Sequence, residues 1–174
     1  MKLSGGPTRD EIMAVSIFKL DLKENEIIAD IGCGTGKISV YASGFCREVI
    51  AIDKRDESIE YASREILKSG RKNIRLMQGE AAEVLKNIEY IDSAFLGGST
   101  NIEEILEILS KKVRRNIVVN AVLLKTVNKT VAKMKELGIF KELIHIQVSR
   151  SYNLTGDIML KPINPVFIIV GSVE

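Results

Sequence analysis

Tryptophan is missing from this chain of 174 residues, histidine occurs once, and there are only two cysteines and three prolines. Cys33 and Cys46 have neither the spacing of metal ligands nor the density of a disulfide scaffold, so two reduced thiols and no metal are expected. Long apolar runs are also absent. None approaches the roughly 20 residues that cross a bilayer, and Arg9, Asp10 and Glu11 interrupt the region where a signal peptide would be apolar. The expectation is a soluble, cytoplasmic protein with no membrane partner. Neither sign of charge dominates: the formal net charge of +2 is small for a surface that must neutralise many phosphates. No nucleic acid partner is expected, and a small-molecule substrate is favoured.

What is present suffices for a core. With 45% apolar residues, the chain has the size and composition of one domain spanning residues 1–174. Residues 8–20 carry apolar side chains at near-helical spacing, and Thr8 followed by Glu11 has the form of a capping box, which predicts a helix from Thr8. Buried strands are predicted over 26–31, 48–53, 74–78, 91–96 and 115–121. They alternate with helices over 37–44, 56–69, 81–87, 102–112 and 124–137, the last stopped by Gly138. Two further strand-like runs, 142–151 and 164–171, have no helix between them and are joined by a segment holding Gly156, Pro162 and Pro165. This order predicts an α/β, Rossmann-like fold: a parallel sheet of five strands with helices on both faces and a C-terminal antiparallel hairpin.

The first strand runs into Asp30-Ile-Gly-Cys-Gly-Thr-Gly36. A dinucleotide fingerprint would need glycine three positions after Gly34, where Lys37 stands. A phosphate-binding P-loop would need glycine at Ile31 and serine or threonine at Ile38. Both nucleotide motifs fail by position. The form that remains, an acid and an apolar residue before Gly-x-Gly-x-Gly, resembles motif I of the class I S-adenosylmethionine-dependent methyltransferases. Small residues are needed there because a Cβ would block the approach of a ligand to the backbone. A sulfonium is positive and carries no phosphate, so the Asp30 carboxylate is tolerable beside it. That resemblance assigns Gly32, Cys33, Gly34, Thr35 and Gly36 to S-adenosyl-L-methionine. Asp53, which ends the second strand 17 positions beyond Gly36, can accept hydrogen bonds from both ribose hydroxyls of an adenosine cofactor. Gln78-Gly-Glu-Ala81 resembles the Gly-Asp-Ala segment that holds adenine in these enzymes, which adds Glu80 and Ala81; Glu80 replaces the commoner Asp.

Gly5-Gly-Pro-Thr8, Asp30 to Gly36, Leu96-Gly-Gly-Ser99 and Asn164-Pro-Val166 together resemble the decarboxylating cobalt-precorrin C15-methyltransferases of anaerobic cobalamin biosynthesis. The likeness covers essentially the whole chain. It implies that residues 1–20 cover the cofactor, with Thr8 touching it, and that Gly97 and Gly98 lie at the substrate end of the fourth strand. It also implies methylation of C15 of a tetrapyrrole and loss of carbon dioxide from the C12 acetate. A homo-oligomer such as a tetramer is implied as well; whether a separate precorrin methyltransferase is a partner is left open by the sequence.

No catalytic side chain is identified by these residues, since an electron-rich macrocycle can supply its own carbon nucleophile. Arg9, Lys125, Arg150 and Lys161 are either anchors for the substrate's carboxylates or solvated surface charges. His145 is expected to face a partner or solvent, and Cys33, with no base adjacent in sequence, is read as a small loop residue. Two alternatives share the cofactor half. A tRNA or rRNA base methyltransferase of the exocyclic-amine type would carry an Asn/Asp-Pro-Pro-aromatic motif after the fourth strand, where this chain has Leu96-Gly-Gly. Against a noncatalytic nucleotide-binding scaffold stand the filled cofactor positions.

Overall fold

The computed structural model describes residues 8–98 and 100–173. Five strands lie parallel: β1 (Ile27–Ile31), β2 (Glu48–Asp53), β3 (Ile74–Gln78), β4 (Ser93–Leu96) and β5 (Asn116–Ala121). Four more follow: β6 (Phe140–Ile146), β7 (Ser149–Leu154), β8 (Asp157–Pro162) and β9 (Val166–Ser172). The main sheet has the order β3-β2-β1-β4-β5-β9-β6, and β9 is antiparallel to both of its neighbours. The near-continuous apolar runs of β1, β2, β4 and β5 fit strands covered on both faces.

Six helices provide the cover: α1 (Asp10–Leu20), α2 (Lys37–Ala42), α3 (Asp56–Ser69), α4 (Ala81–Lys86), α5 (Ile102–Lys112) and α6 (Leu124–Glu136). On one face Ile12, Leu20, Ile38 and Ala62 of α1 to α3 pack over Ala51, Phe95, Val118 and Ile168. On the other, Leu85, Leu106, Leu109 and Met134 of α4 to α6 pack over Ile31, Ile50, Leu96 and Val119. Each buried aliphatic side chain contributes about 1.5–3 kcal/mol. At the amino edge of the sheet the Arg115 guanidinium bridges Glu26 and Asp21.

The expected elements are present, with local corrections. α1 begins at Asp10 behind Arg9, and no side chain caps it, so the Thr8–Glu11 capping box does not form. Glu11 instead holds the fork of Arg150 with contacts of 2.8–3.0 Å, and a charge-assisted bidentate pair is the stronger use of that carboxylate. The run 142–151 is not one strand. It breaks at Gln147 and Val148, and residues 149–162 form a separate two-stranded hairpin, β7–β8. Its turn is Thr155-Gly156, with φ of 51° and 89°. Positive φ at both central residues is what a two-residue hairpin turn of the primed type requires. Threonine rarely occupies that position, so the turn carries no strong sequence signal.

Candidate cofactor site

The loop after β1 is pinned to β2 by two amides, those of Gly32 and Cys33, which donate to the Ile52 carbonyl at 2.8 and 3.0 Å. Gly32, Gly34 and Gly36 all take left-handed φ, between 55° and 73°, where side-chain-bearing residues are strained. Two of them also allow close approach. A Cβ on Gly32 would meet the backbone of Gly98, at the end of β4, while a Cβ on Gly36 would lie 3.2 Å from the Ala62 Cβ of α3. The first glycine therefore joins the β1 and β4 loops, and the third seats α2 against α3.

Above these loops, at the carboxyl end of the parallel strands where α/β sheets bind ligands, lies a cavity of about 460 Å³. Thr8, Gly32, Cys33, Gly34, Thr35, Asp53, Glu80 and Ala81 all line it. Gly36 does not, and serves the packing of α2. Gly5, Gly6, Pro7 and Ser99 fall outside the described residues. The sequence reading did not assign Asp30, Lys37, Arg55 or Phe95 to the cofactor site, and each lines the cavity. In the sequence Lys37 serves only to exclude the dinucleotide fingerprint, standing where its third glycine would be. Its ammonium donates to the Thr8 carbonyl at 2.7 Å and to Asp10 at 2.6 Å, which ties the segment before α1 to the glycine loop.

Two carboxylates shape the electrostatics. Asp53, buried at 4% exposure, would be raised by burial, but hydrogen bonds from Arg55 and from the Gly34 amide hold it below the usual carboxylate range. Asp30 is in the opposite situation. It is fully buried, one oxygen is bonded to the Ser39 hydroxyl, and Oδ1 has no partner among the described residues. Burial, reinforced by the charge of Asp53 and opposed by the Ser39 bond, lifts it to about 7. The Cys33 thiol is driven well above its ordinary range by burial and by both of these carboxylates, so it is a poor nucleophile. Glu80 is exposed and paired with Lys54 at 3.0 Å.

The substrate candidates scatter. Arg150 is taken by Glu11, whereas Arg9, Lys125 and Lys161 have no ionic partner among the described residues. His145 stacks on Phe167 with centroids 4.5 Å apart, on the edge strand β6. Among the described residues no group of three or more His, Cys, Asp or Glu could hold a metal, and no helix is long and apolar enough to cross a membrane.

A seven-stranded sheet with one strand reversed next to its edge, a β1 loop of left-handed glycines and an acid at the end of β2 define a class I S-adenosylmethionine-dependent methyltransferase fold. Within that class, a family model described as the precorrin methyltransferase domain matches residues 2–171, and the chain belongs to that family. A Methanosarcina acetivorans protein named "Probable cobalt-precorrin-6B C(15)-methyltransferase (decarboxylating)" is 47% identical, over 99% of this chain and 96% of its own length. Among solved structures, precorrin 8W decarboxylase of Methanobacterium thermoautotrophicum superposes with a TM-score of 0.93 at 31% identity, covering 98% of this chain and 95% of that one. Precorrin-6y C5,15-methyltransferase of Geobacter metallireducens gives 0.92 at 28%, covering 99% and 94%.

Proposed function

We propose that this chain methylates C15 of a cobalt-precorrin with S-adenosylmethionine and couples that step to loss of the C12 acetate carboxyl as carbon dioxide, in cobalamin biosynthesis. The 47% identity across nearly the whole of both chains carries this reading, because it spans the cavity and every loop around it.

The cavity suits the cofactor on its own terms. Its volume lies within the range of small-molecule sites, glycine backbone forms one wall, and the buried, partnerless oxygen of Asp30 is a counter-charge for a cation. When bound, the cofactor supplies an electrophilic methyl group on a sulfonium. Asp53 would accept the ribose hydroxyls, Glu80 and the Ala81 backbone would meet the adenine, and Gly32, Cys33, Gly34 and Thr35 would follow the methionine. Thr8, held over the loop by Lys37, would close the site from above. Gly97 and Gly98 leave room beside the methyl group for a flat macrocycle. Holding donor and acceptor aligned can lower the barrier by roughly 7–11 kcal/mol without a protein nucleophile. The electron pair left by the departing carbon dioxide is then taken up with a proton.

We take residues 1–174 as one cytoplasmic domain that acts as a homo-oligomer, with a separate precorrin methyltransferase working on the same macrocycle. The β7–β8 hairpin supports the assembly. It exposes Ile158 and Leu160 on one face and Tyr152, Leu154 and Met159 on the other, and a two-stranded hairpin alone is marginal in water.

The test is incubation with cobalt-precorrin-6B and S-adenosylmethionine, followed by mass spectrometry. Gain of one methyl with loss of carbon dioxide is expected. Methylation of tRNA with no change in the tetrapyrrole would transfer the chain to the RNA reading, and failure to bind the cofactor at all would favour a scaffold.

A further inference from the structure

A carboxylate offers about four lone-pair sites, and at Asp53 all four are filled. Oδ2 accepts from the Gly34 amide and from Arg55 Nη2, both at 3.0 Å; Oδ1 accepts from the Arg55 amide and from Arg55 Nε, both at 3.1 Å. The two amides are fixed by the chain path. The two guanidinium bonds come from a side chain that is 42% exposed and stands on the residue before α3. A ribose diol donating to Asp53 needs two of these sites, and only the guanidinium can give up a pair. Arg55 also sets a positive charge on the wall of a cavity that is to receive a sulfonium, where like charge is unfavourable.

We propose that Arg55 is an internal competitor of the cofactor: its guanidinium holds the ribose seat on Asp53 and has to release it when adenosine enters. This rests on Asp53 being the ribose acceptor. Arg55 keeps a buried carboxylate paired, and the diol would take over two of that carboxylate's lone pairs. S-adenosylhomocysteine carries the same ribose, so the returning guanidinium also assists departure of the product. The arrangement trades cofactor affinity for turnover.

Calorimetric titration of S-adenosylhomocysteine and S-adenosylmethionine into the native protein, Arg55→Met, Arg55→Lys and Asp53→Ala tests the competition. Arg55→Met is expected to bind the product about fivefold more tightly, because the ligand no longer displaces an ion pair whose guanidinium is partly solvated. It should bind the cationic cofactor more tightly still, while the ligand-free protein unfolds at a lower temperature. Arg55→Lys, which keeps the charge without the fork, should fall between native and Met. Unchanged or weaker binding by Arg55→Met, with binding by Asp53→Ala weakened, overturns the competitor and leaves the ribose seat standing. Unchanged binding by Asp53→Ala removes the seat itself. If Arg55→Met does not fold, the Arg55 Nε–H resonance of the native protein decides. It should shift on adding S-adenosylhomocysteine; a resonance that keeps its position refutes the displacement.

Discussion

Gly32 and Gly98 approach so closely that a Cβ added to Gly32 would lie 3.0 Å from the Gly98 amide nitrogen. That contact clamps the β1 loop to the β4 loop, and both loops line the cavity. Gly32→Ala meets two penalties, a left-handed φ of 72° and a backbone collision that no side chain can relieve. A loss of about 1–3 kcal/mol in stability and at least a tenfold loss of cofactor affinity are expected, read by chemical denaturation and calorimetry. Native affinity in Gly32→Ala would mean that the loops are not clamped here.

Asp30 makes stability depend on pH with a defined sign. Its folded value, lifted to about 7 by burial, stands above that of the unfolded chain, so the native state binds the extra proton between about pH 4 and pH 7. The stabilisation is complete below that window and is lost as pH rises through 7, an effect of up to ~4 kcal/mol. Denaturant midpoints should therefore fall from pH 5 to pH 8 in the native protein and run nearly level in Asp30→Asn. Equal slopes in the two proteins would show that Asp30 does not titrate in this range. A sulfonium in the site favours the ionised form, so cofactor binding near pH 7 should release a proton. Heats measured in buffers of different ionisation enthalpy would detect it.

Arg115→Met would take the guanidinium from Glu26, which is buried at 7% exposure and would keep the Lys23 amide, at the amino edge of the sheet and far from the cavity. Breaking a fully buried pair costs about 3–5 kcal/mol; with Arg115 at 18% side-chain exposure a loss of about 1–3 kcal/mol is expected, with cofactor affinity unchanged. Urea titration and calorimetry separate the two quantities.

The exposed apolar hairpin leads to a fourth expectation. The pair Ile158→Lys and Leu160→Lys, on one face of β8, should shift sedimentation from the native assembly to a smaller species while the far-ultraviolet circular dichroism spectrum is retained. A native protein that sediments as a monomer would remove the homo-oligomer from the reading.

The sequence made the repeating units legible because β1, β2, β4 and β5 are short apolar runs and α3, α5 and α6 are amphipathic. Asp53 and the glycine loop were legible for the same reason, since they sit at strand ends that the apolar runs locate. The turn at Thr155-Gly156 was hidden because it uses an unusual residue for its conformation. Arg55 was hidden because its importance lies in lone-pair occupancy at a residue two positions away, which spacing does not encode. The packing of Gly36 on Ala62 of α3 was hidden because motif resemblance does not encode which helix a glycine seats.

The position of β9 bears on how the protein is made. Val166–Ser172 is inserted between β5 and β6 and hydrogen-bonded to both, so during synthesis these two strands wait with open edges until β9 has followed them. Unpaired edges in an incomplete sheet invite association with other chains. Truncation before Val166 would therefore leave β5 and β6 with two sticky borders near one edge of the unfinished sheet, and the expected product is aggregate rather than a smaller soluble domain.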